Sequence, residues 1–170
     1  MTSLKSLNIL LADDNAQMST IVASMLQATG IRKIYQAADG ASALNLVRDH
    51  PIDLAIVDFN MAPVDGVSFT RQVRNDPRSP NPYLPIIMMT GHSALRLVTE
   101  ARDAGINEFL AKPLTARSLM DRIQALILRP RVYVRATTYF GPDRRRLAQT
   151  SYSGPQRRLS APVAAFDLET

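Results

Sequence analysis

The chain predicts an α/β domain, a doubly wound five-stranded parallel sheet, followed by a short C-terminal arm. Three observations carry this. Five short apolar runs, at 7–12, 31–37, 53–58, 86–90 and 107–112, are each followed by a stretch of different character. In those stretches apolar residues recur at helical spacing. Strands alternating with helices imply parallel strands with helices on both faces. After Arg129-Pro130 the alternation stops.

The elements follow in order. LNILLA (7–12) ends in Asp13-Asp14. Met18, Ile21, Val22, Met25 and Leu26 then mark a helix by their i, i+3, i+4, i+7, i+8 spacing, and Gly30 sits where it would stop. IRKIYQA (31–37) alternates like a half-buried strand. DGASALNLVRDH (39–50) is a second helix ended by Pro51, with His50 as its solvated end. Asp53 begins or caps the buried strand DLAIVD (53–58), and GVSFTRQVRND (66–76) is a third helix. A loop with Pro77, Pro80, Pro82 and Pro85 leads to the strand IIMMT (86–90). The helix SALRLVTEARDAG (93–105), the strand NEFLAK (107–112) and the helix TARSLMDRIQALILR (115–129) complete the set. Met18, Met25, Met88, Met89 and Met120 fall at core spacings and require no cofactor.

Composition excludes several classes. The 170 residues suffice for one domain plus an extension, with 46% hydrophobic and 21% charged residues. No cysteine means no disulfide framework and no thiolate metal site. No apolar run approaches the roughly 18 residues that span a bilayer. The N-terminal MTSLKSLNILLADD reads as a strand, not a signal peptide, and a cytoplasmic protein is expected. The net charge of +5 is uneven: residues 1–128 balance twelve basic against twelve acidic residues. Residues 129–170 carry eight arginines against Asp143, Asp167 and Glu169. That asymmetry divides the chain into a domain at 1–128 and a basic extension at 129–170.

In open parallel sheets the site lies beyond the carboxyl ends of the strands. Asp13 and Asp14 follow the first strand here, Asp58 ends the third, Thr90-Gly91 ends the fourth and Lys112-Pro113 the fifth. Three carboxylates close together repel unless a cation joins them. An all-oxygen set suits a hard ion, with Mg²⁺ the expected one. Asp58 could then act as nucleophile toward a phosphoryl group. Lys112 and the Thr90 hydroxyl would supply positioning and charge neutralisation.

Asp13-Asp14, Asp58 in VDFNMAPVDG, Thr90 in MMTG and Lys112-Pro113 in FLAKP together resemble the CheY-like receiver domain of two-component response regulators, over about residues 6–128. The resemblance implies a flavodoxin-like (βα)5 fold. It implies Asp58 as phosphoacceptor, and Asp13, Asp14, Asp58 and the backbone carbonyl of Asn60 as Mg²⁺ ligands, with Asp14 binding directly. Thr90 and Lys112 take the places of the family's hydroxyl and lysine. Phe109 takes that of the switch aromatic, turning inward as Thr90 moves toward the phosphoryl oxygen. The Lys112-Pro113 bond is expected to be cis, and the side chains at Asn60 and His92 to tune phosphoryl lifetime. The chain departs from the family where Ala62, followed by Pro63, replaces the usual proline, which implies a changed turn. The implied partner is a histidine kinase or phosphotransfer protein.

Plainer readings stand beside these. The acidic residues and Lys112 could form a structural ion cluster in a receiver that is never phosphorylated. Thr90 could simply end a strand, Phe109 could be core, and His92 could be a surface residue at a helix start.

RVYVRATTYF (131–140) alternates and could pair as a strand; GPDRRR (141–146) reads as a turn and an arginine run. Three readings of the extension stay open. It could be disordered. It could be an arm that docks Val132, Val134, Tyr139, Phe140, Leu147, Tyr152 and Phe166 in cis or on another subunit. It could bind an acidic partner, such as nucleic acid or a negatively charged kinase face, although the scattered Arg144–Arg146 and Arg157-Arg158 read more as a rim of salt bridges than as a nucleic-acid groove. The expected function is a response regulator acting through protein contacts, by the 93–128 face or the arm, and not an enzyme on external substrates. The alternative is a dimerising scaffold or regulator whose basic tail carries the function.

Overall fold

The computed structural model describes residues 3–91, 95–144 and 161–163. His92, Leu147, Tyr152, Phe166 and the arginines at 145, 146, 157 and 158 lie outside them. A 3-10 turn over Leu4–Ser6 leads into five β-α pairs. These are β1 (Asn8–Ala12), α1 (Ala16–Ala28), β2 (Lys33–Ala37), α2 (Gly40–Asp49), β3 (Leu54–Asp58), α3 (Gly66–Asn75), β4 (Ile86–Thr90), α4 (Leu95–Ala104), β5 (Glu108–Ala111) and α5 (Ala116–Leu128). The sheet is parallel in the order β2-β1-β3-β4-β5. The extension forms β6 (Tyr133–Ala136), β7 (Tyr139–Pro142) and β8 (Ala161–Val163), an antiparallel sheet in the order β7-β6-β8.

The two-residue side-chain period of a strand explains the two layers of core. Leu10, Ala12, Ala55, Val57, Ile86 and Met88 face one cluster, with α2, α3 and α4. Ile9, Leu11, Leu54, Ile56, Ile87 and Met89 face the other, with α1 and α5. Strands buried on both faces need continuous apolar runs, which is why LNILLA and LAIVD do not alternate. Fully burying each leucine, isoleucine, valine or methionine among them contributes roughly 1.5–3 kcal/mol.

Helix starts are set by short polar side chains. Asn15, Asp39 and Asp65 accept from the amides of Met18, Ser42 and Ser68. Thr115 and Ser118 form a reciprocal capping box at α5. Asp53 ties the starts of β1 and β3 by accepting from the amide and the side chain of Asn8, at 2.8 and 3.0 Å. His50 ends α2 with its ring 4.4 Å from that of Tyr35.

The extension corrects two expectations. RVYVRATTYF is two strands joined at Thr137-Thr138, not one, and Gly141-Pro142 belong to β7, not to a turn. The hairpin docks on its own chain, at the edge of the large sheet opposite the strand carboxyl ends. Its anchor is Tyr133, 6% exposed. The Tyr133 hydroxyl donates to the Tyr83 carbonyl at 2.8 Å and accepts from Asn107 Nδ2 at 3.1 Å. Rings of Tyr83, Tyr133 and Phe140 pack edge-on or tilted, with centroids 5.3–5.9 Å apart.

Beneath them lies Arg74, 2% exposed. Its guanidinium donates to the carbonyls of Gly105 (2.9 Å) and Pro82 (2.7 Å) and to Asn107 Oδ1 (3.0 Å), and it lies 5.2 Å from the Tyr133 ring centroid. Burial pushes it down from its ordinary value. Gly105 has φ +103, and a Cβ there would stand 2.8 Å from the Phe140 carbonyl oxygen. The approach of β7 to the end of α4 therefore demands glycine.

The buried fork generates a stability prediction. Lysine at position 74 offers a point charge in place of a planar fork and cannot reach all three acceptors. Arg74→Lys should destabilise the chain by about 2–3 kcal/mol, roughly 5–10 °C in thermal midpoint at this length. An unchanged midpoint in thermal denaturation would show that the guanidinium does not hold the docked hairpin.

Candidate functional site

Strand order reverses between β1 and β3, and the crevice beyond that point receives the ends of β1, β3, β4 and β5. Asp13 follows β1 and Asp58 closes β3; they are 3% and 5% exposed. Asp14 is exposed. Their backbones are held tightly. The Asp13 amide donates to the Ala37 carbonyl at 3.0 Å. The Gly66 amide donates to the Phe59 carbonyl at 3.1 Å, and a Cβ at Gly66 would lie 2.4 Å from the Asp58 carbonyl oxygen. Only glycine lets α3 start this close to the end of β3.

Lys112 Nζ lies 2.6 Å from Asp58 Oδ1 and 3.7 Å from Asp13 Oδ2. The second distance is an ion contact too long for a hydrogen bond. Asp58 Oδ2 accepts from the Asn60 amide at 3.2 Å, and Asp13 Oδ1 from the Asn15 amide at 2.9 Å. The Lys112 amide donates to the Thr90 carbonyl at 2.8 Å, which joins the ends of β4 and β5. Burial pushes the Asp58 carboxyl up. The Lys112 hydrogen bond opposes this and the Asp13 charge adds to it, for a net rise. For Lys112, burial disfavours the charge, but the Asp58 and Asp13 carboxylates outweigh it and hold its pKa above the ordinary value.

Among the described residues, one ammonium thus faces three carboxylates. Asp13, Asp14 and Asp58 each offer an oxygen, and these oxygens lie within 4.8 Å of one another. Among the described residues, Asp13 Oδ2 is a buried oxygen with no hydrogen-bond donor. Excess negative charge, only oxygen donors and an orphaned buried oxygen together fit a hard divalent cation.

Six of the seven sequence-derived site residues lie at the strand ends or their loops, and Phe109 lies within β5. Asp13, Asp14, Asp58 and Lys112 converge. Thr90 is buried at the end of β4, beside Ala111 in register. Asn60 is exposed in the loop after β3. Phe109 is half-buried in β5, opposite Met88, and packs on the α3–α4 side of the core. Lys112-Pro113 is cis, as expected. The altered turn after Asp58 contains a second cis bond, Ala62-Pro63. Sequence reasoning missed Asn15, whose amide holds Asp13 and whose side chain caps α1. The signal was present: an Asn just before a helical pattern is a cap residue.

Comparison with known proteins agrees with this geometry. Residues 9–124 match the response regulator receiver domain family. The chain is 30% identical to chemotaxis protein CheY-3 of Vibrio cholerae over 125 residues, 74% of this chain and 95% of that protein. It is 32% identical to chemotaxis protein CheY of Pseudomonas aeruginosa over 123 residues, 72% and 98% of the two chains. Among solved structures, the receiver domain of the Pseudomonas aeruginosa sensor histidine kinase PA1611, with magnesium coordinated in its active-site cleft, is 30% identical with a TM-score of 0.64. That match covers 71% of this chain and 97% of the other. Vibrio cholerae CheY4 is 28% identical with a TM-score of 0.64, covering 71% and 98%. By sequence and by fold, this chain belongs to the response regulator receiver family and is CheY-like.

Proposed function

We propose that the chain accepts a phosphoryl group on Asp58 from a partner histidine kinase or phosphotransfer protein of a two-component pathway. The observation that carries this is Asp58 itself: a buried carboxylate at the end of β3, 2.6 Å from Lys112 Nζ, with two further carboxylates beside it. In the transfer an Asp58 oxygen attacks phosphorus, the O–P bond forms and the N–P bond to the donor histidine breaks. The departing imidazole nitrogen keeps the electron pair of that bond.

Phosphoryl transfer asks the protein for positioning and charge stabilisation. Asp13, Asp14, Asp58 and the Asn60 carbonyl would hold Mg²⁺, which neutralises phosphoryl charge when bound. Lys112 keeps a fixed positive charge against the acceptor oxygen. The Asn60 amide and Lys112 hold the two Asp58 oxygens, so the carboxylate is oriented before the donor arrives. Thr90 offers a hydroxyl to a phosphoryl oxygen, and Phe109 on the neighbouring strand changes packing as Thr90 moves. Output is through protein contacts, by the face built from α4, β5 and α5 or by the extension. No chemistry on an outside small molecule is proposed beyond phosphorylation and hydrolysis at Asp58.

Two expectations follow. Asp58→Asn should abolish labelling by an acyl phosphate donor in the presence of Mg²⁺; label retained on the variant would refute the assignment. The second concerns charge. The folded-state pKa of Asp58 is raised, so the fold favours the protonated form over the carboxylate. Its contribution to stability is therefore full below the unfolded value and is lost as pH rises through the folded one. Without divalent cation, Asp58→Asn should melt above the unsubstituted chain at neutral pH, with the gap closing as pH falls. Added Mg²⁺ should raise the midpoint of the unsubstituted chain more than that of the variant. A variant that melts lower in the absence of cation would contradict the charge balance derived above.

A further inference from the structure

β4 and β5 span the molecule from the candidate site to the docked hairpin. At the site, β4 ends at Thr90 and β5 runs into Lys112, 2.6 Å from Asp58. At the opposite edge, the amide of Ile86, first residue of β4, donates to Asn107 Oδ1 at 2.9 Å. Asn107 immediately precedes β5 and also meets Arg74 and the Tyr133 hydroxyl. Glu108, first residue of β5, pairs with Arg131 at 3.0 Å. Arg131 and Tyr133 belong to the extension. The extension therefore holds the starts of the two strands whose far ends carry Thr90 and Lys112.

That grip has little slack. Asn107 Oδ1 accepts from Ile86 and Arg74 while its amide nitrogen donates to Tyr133, all in buried surroundings. Sliding the start of β5 against β4 or the hairpin would leave buried polar groups unpaired. A phosphoryl group on Asp58 adds bulk and negative charge beside Lys112 Nζ, 2.6 Å from the carboxylate, and so loads the ends of β4 and β5 that carry Thr90 and Lys112. β5 has four residues, Glu108–Ala111. A shift at one end has almost no length over which to relax before Asn107.

We propose that the docked hairpin, Tyr133–Pro142, is a regulatory contact for the phosphoryl site: it holds β4 and β5 in the unphosphorylated arrangement, and occupation of the site loosens it. The inference rests on the reading of Asp58 as phosphoacceptor. Coupling between two sites is reciprocal, so a hairpin loosened by site occupation weakens that occupation while it is docked. The family match ends at residue 124, before the hairpin begins.

The test uses the full chain and beryllofluoride with Mg²⁺, a phosphoryl mimic for carboxylates. At saturation, amide hydrogen exchange over 133–142 should speed up at least threefold. Tyr133→Phe, which removes one hydroxyl, should bind beryllofluoride about fivefold more tightly, within the usual range of coupling between sites. Its affinity for Mg²⁺ alone should not change. A saturated site with unchanged or slower exchange in the hairpin, or with unchanged affinity in the variant, overturns the inference and leaves the Asp58 assignment standing. Failure of beryllofluoride to bind at all overturns the assignment, and the inference with it.

Discussion

The contact between Asp58 and Lys112 depends on the order of the sheet. β4 lies between β3 and β5, so the two side chains must reach across the end of an intervening strand. They meet because β4 stops at Thr90 and the Lys112 amide is bonded to the Thr90 carbonyl. A single ammonium then stands against two buried carboxylates and an exposed one. The imbalance leaves room for a cation: an edge with two more fixed positive charges would be a closed salt-bridge cluster, and a purely apolar edge would attract no charged ligand. Burial makes each missing positive charge count for more than it would in water.

The opposite edge of the sheet has its own buried charge, resolved differently. Among the described residues Arg74 has no carboxylate partner; its guanidinium is spread over two backbone carbonyls, an amide oxygen and an aromatic face. The acceptors come from Gly105 and Asn107 between α4 and β5 and from Pro82 in the loop before β4, and Tyr133 is added by the extension. A cation satisfied only by neutral dipoles depends on every dipole being in place. That dependence makes the hairpin an integral part of the domain.

The fold was legible because its signals are local. Apolar runs, cap residues and glycine stops place all five strands and helices within a few residues, and the strand ends bring together residues up to 99 positions apart in sequence. The hairpin was hard to see for equally physical reasons. Its turn is Thr137-Thr138 in place of the Asn-Gly or Asp-Gly pair that marks a two-residue hairpin. Arg74 looks like a solvent-facing arginine in RQVRN, although it falls on the same helical face as Val67 and Thr70. Only tertiary packing distinguishes a buried arginine from an exposed one, because the decisive partners come from Pro82, Gly105, Asn107 and Tyr133. The altered turn after Asp58 was visible as a departure, but its conformation at Ala62-Pro63 was not, since either isomer is accessible to a proline bond.

The basic character of the extension also changes meaning once the contacts are known. Taken alone, eight arginines over residues 129–170 suggest an acidic partner. Within the described part, Arg131 pairs with Glu108 at 3.0 Å and Arg144 with Asp103 at 3.0 Å, while Arg135 lies 4.2 Å from the centre of the Phe140 ring. Arg131 and Arg144 therefore meet acids of the same chain, which the neutral sum of residues 1–128 had concealed. Glu108 is shared between Arg131 and Arg122 of α5, one on each carboxylate oxygen, so the segment leaving α5 and the helix itself meet at one side chain. The Arg131–Glu108 pair is part-buried, and the more exposed Arg144–Asp103 pair adds little stability. Arg131 stands two residues before Tyr133, so its pair with Glu108 and the Tyr133–Asn107 contact hold neighbouring points of the extension against the start of β5.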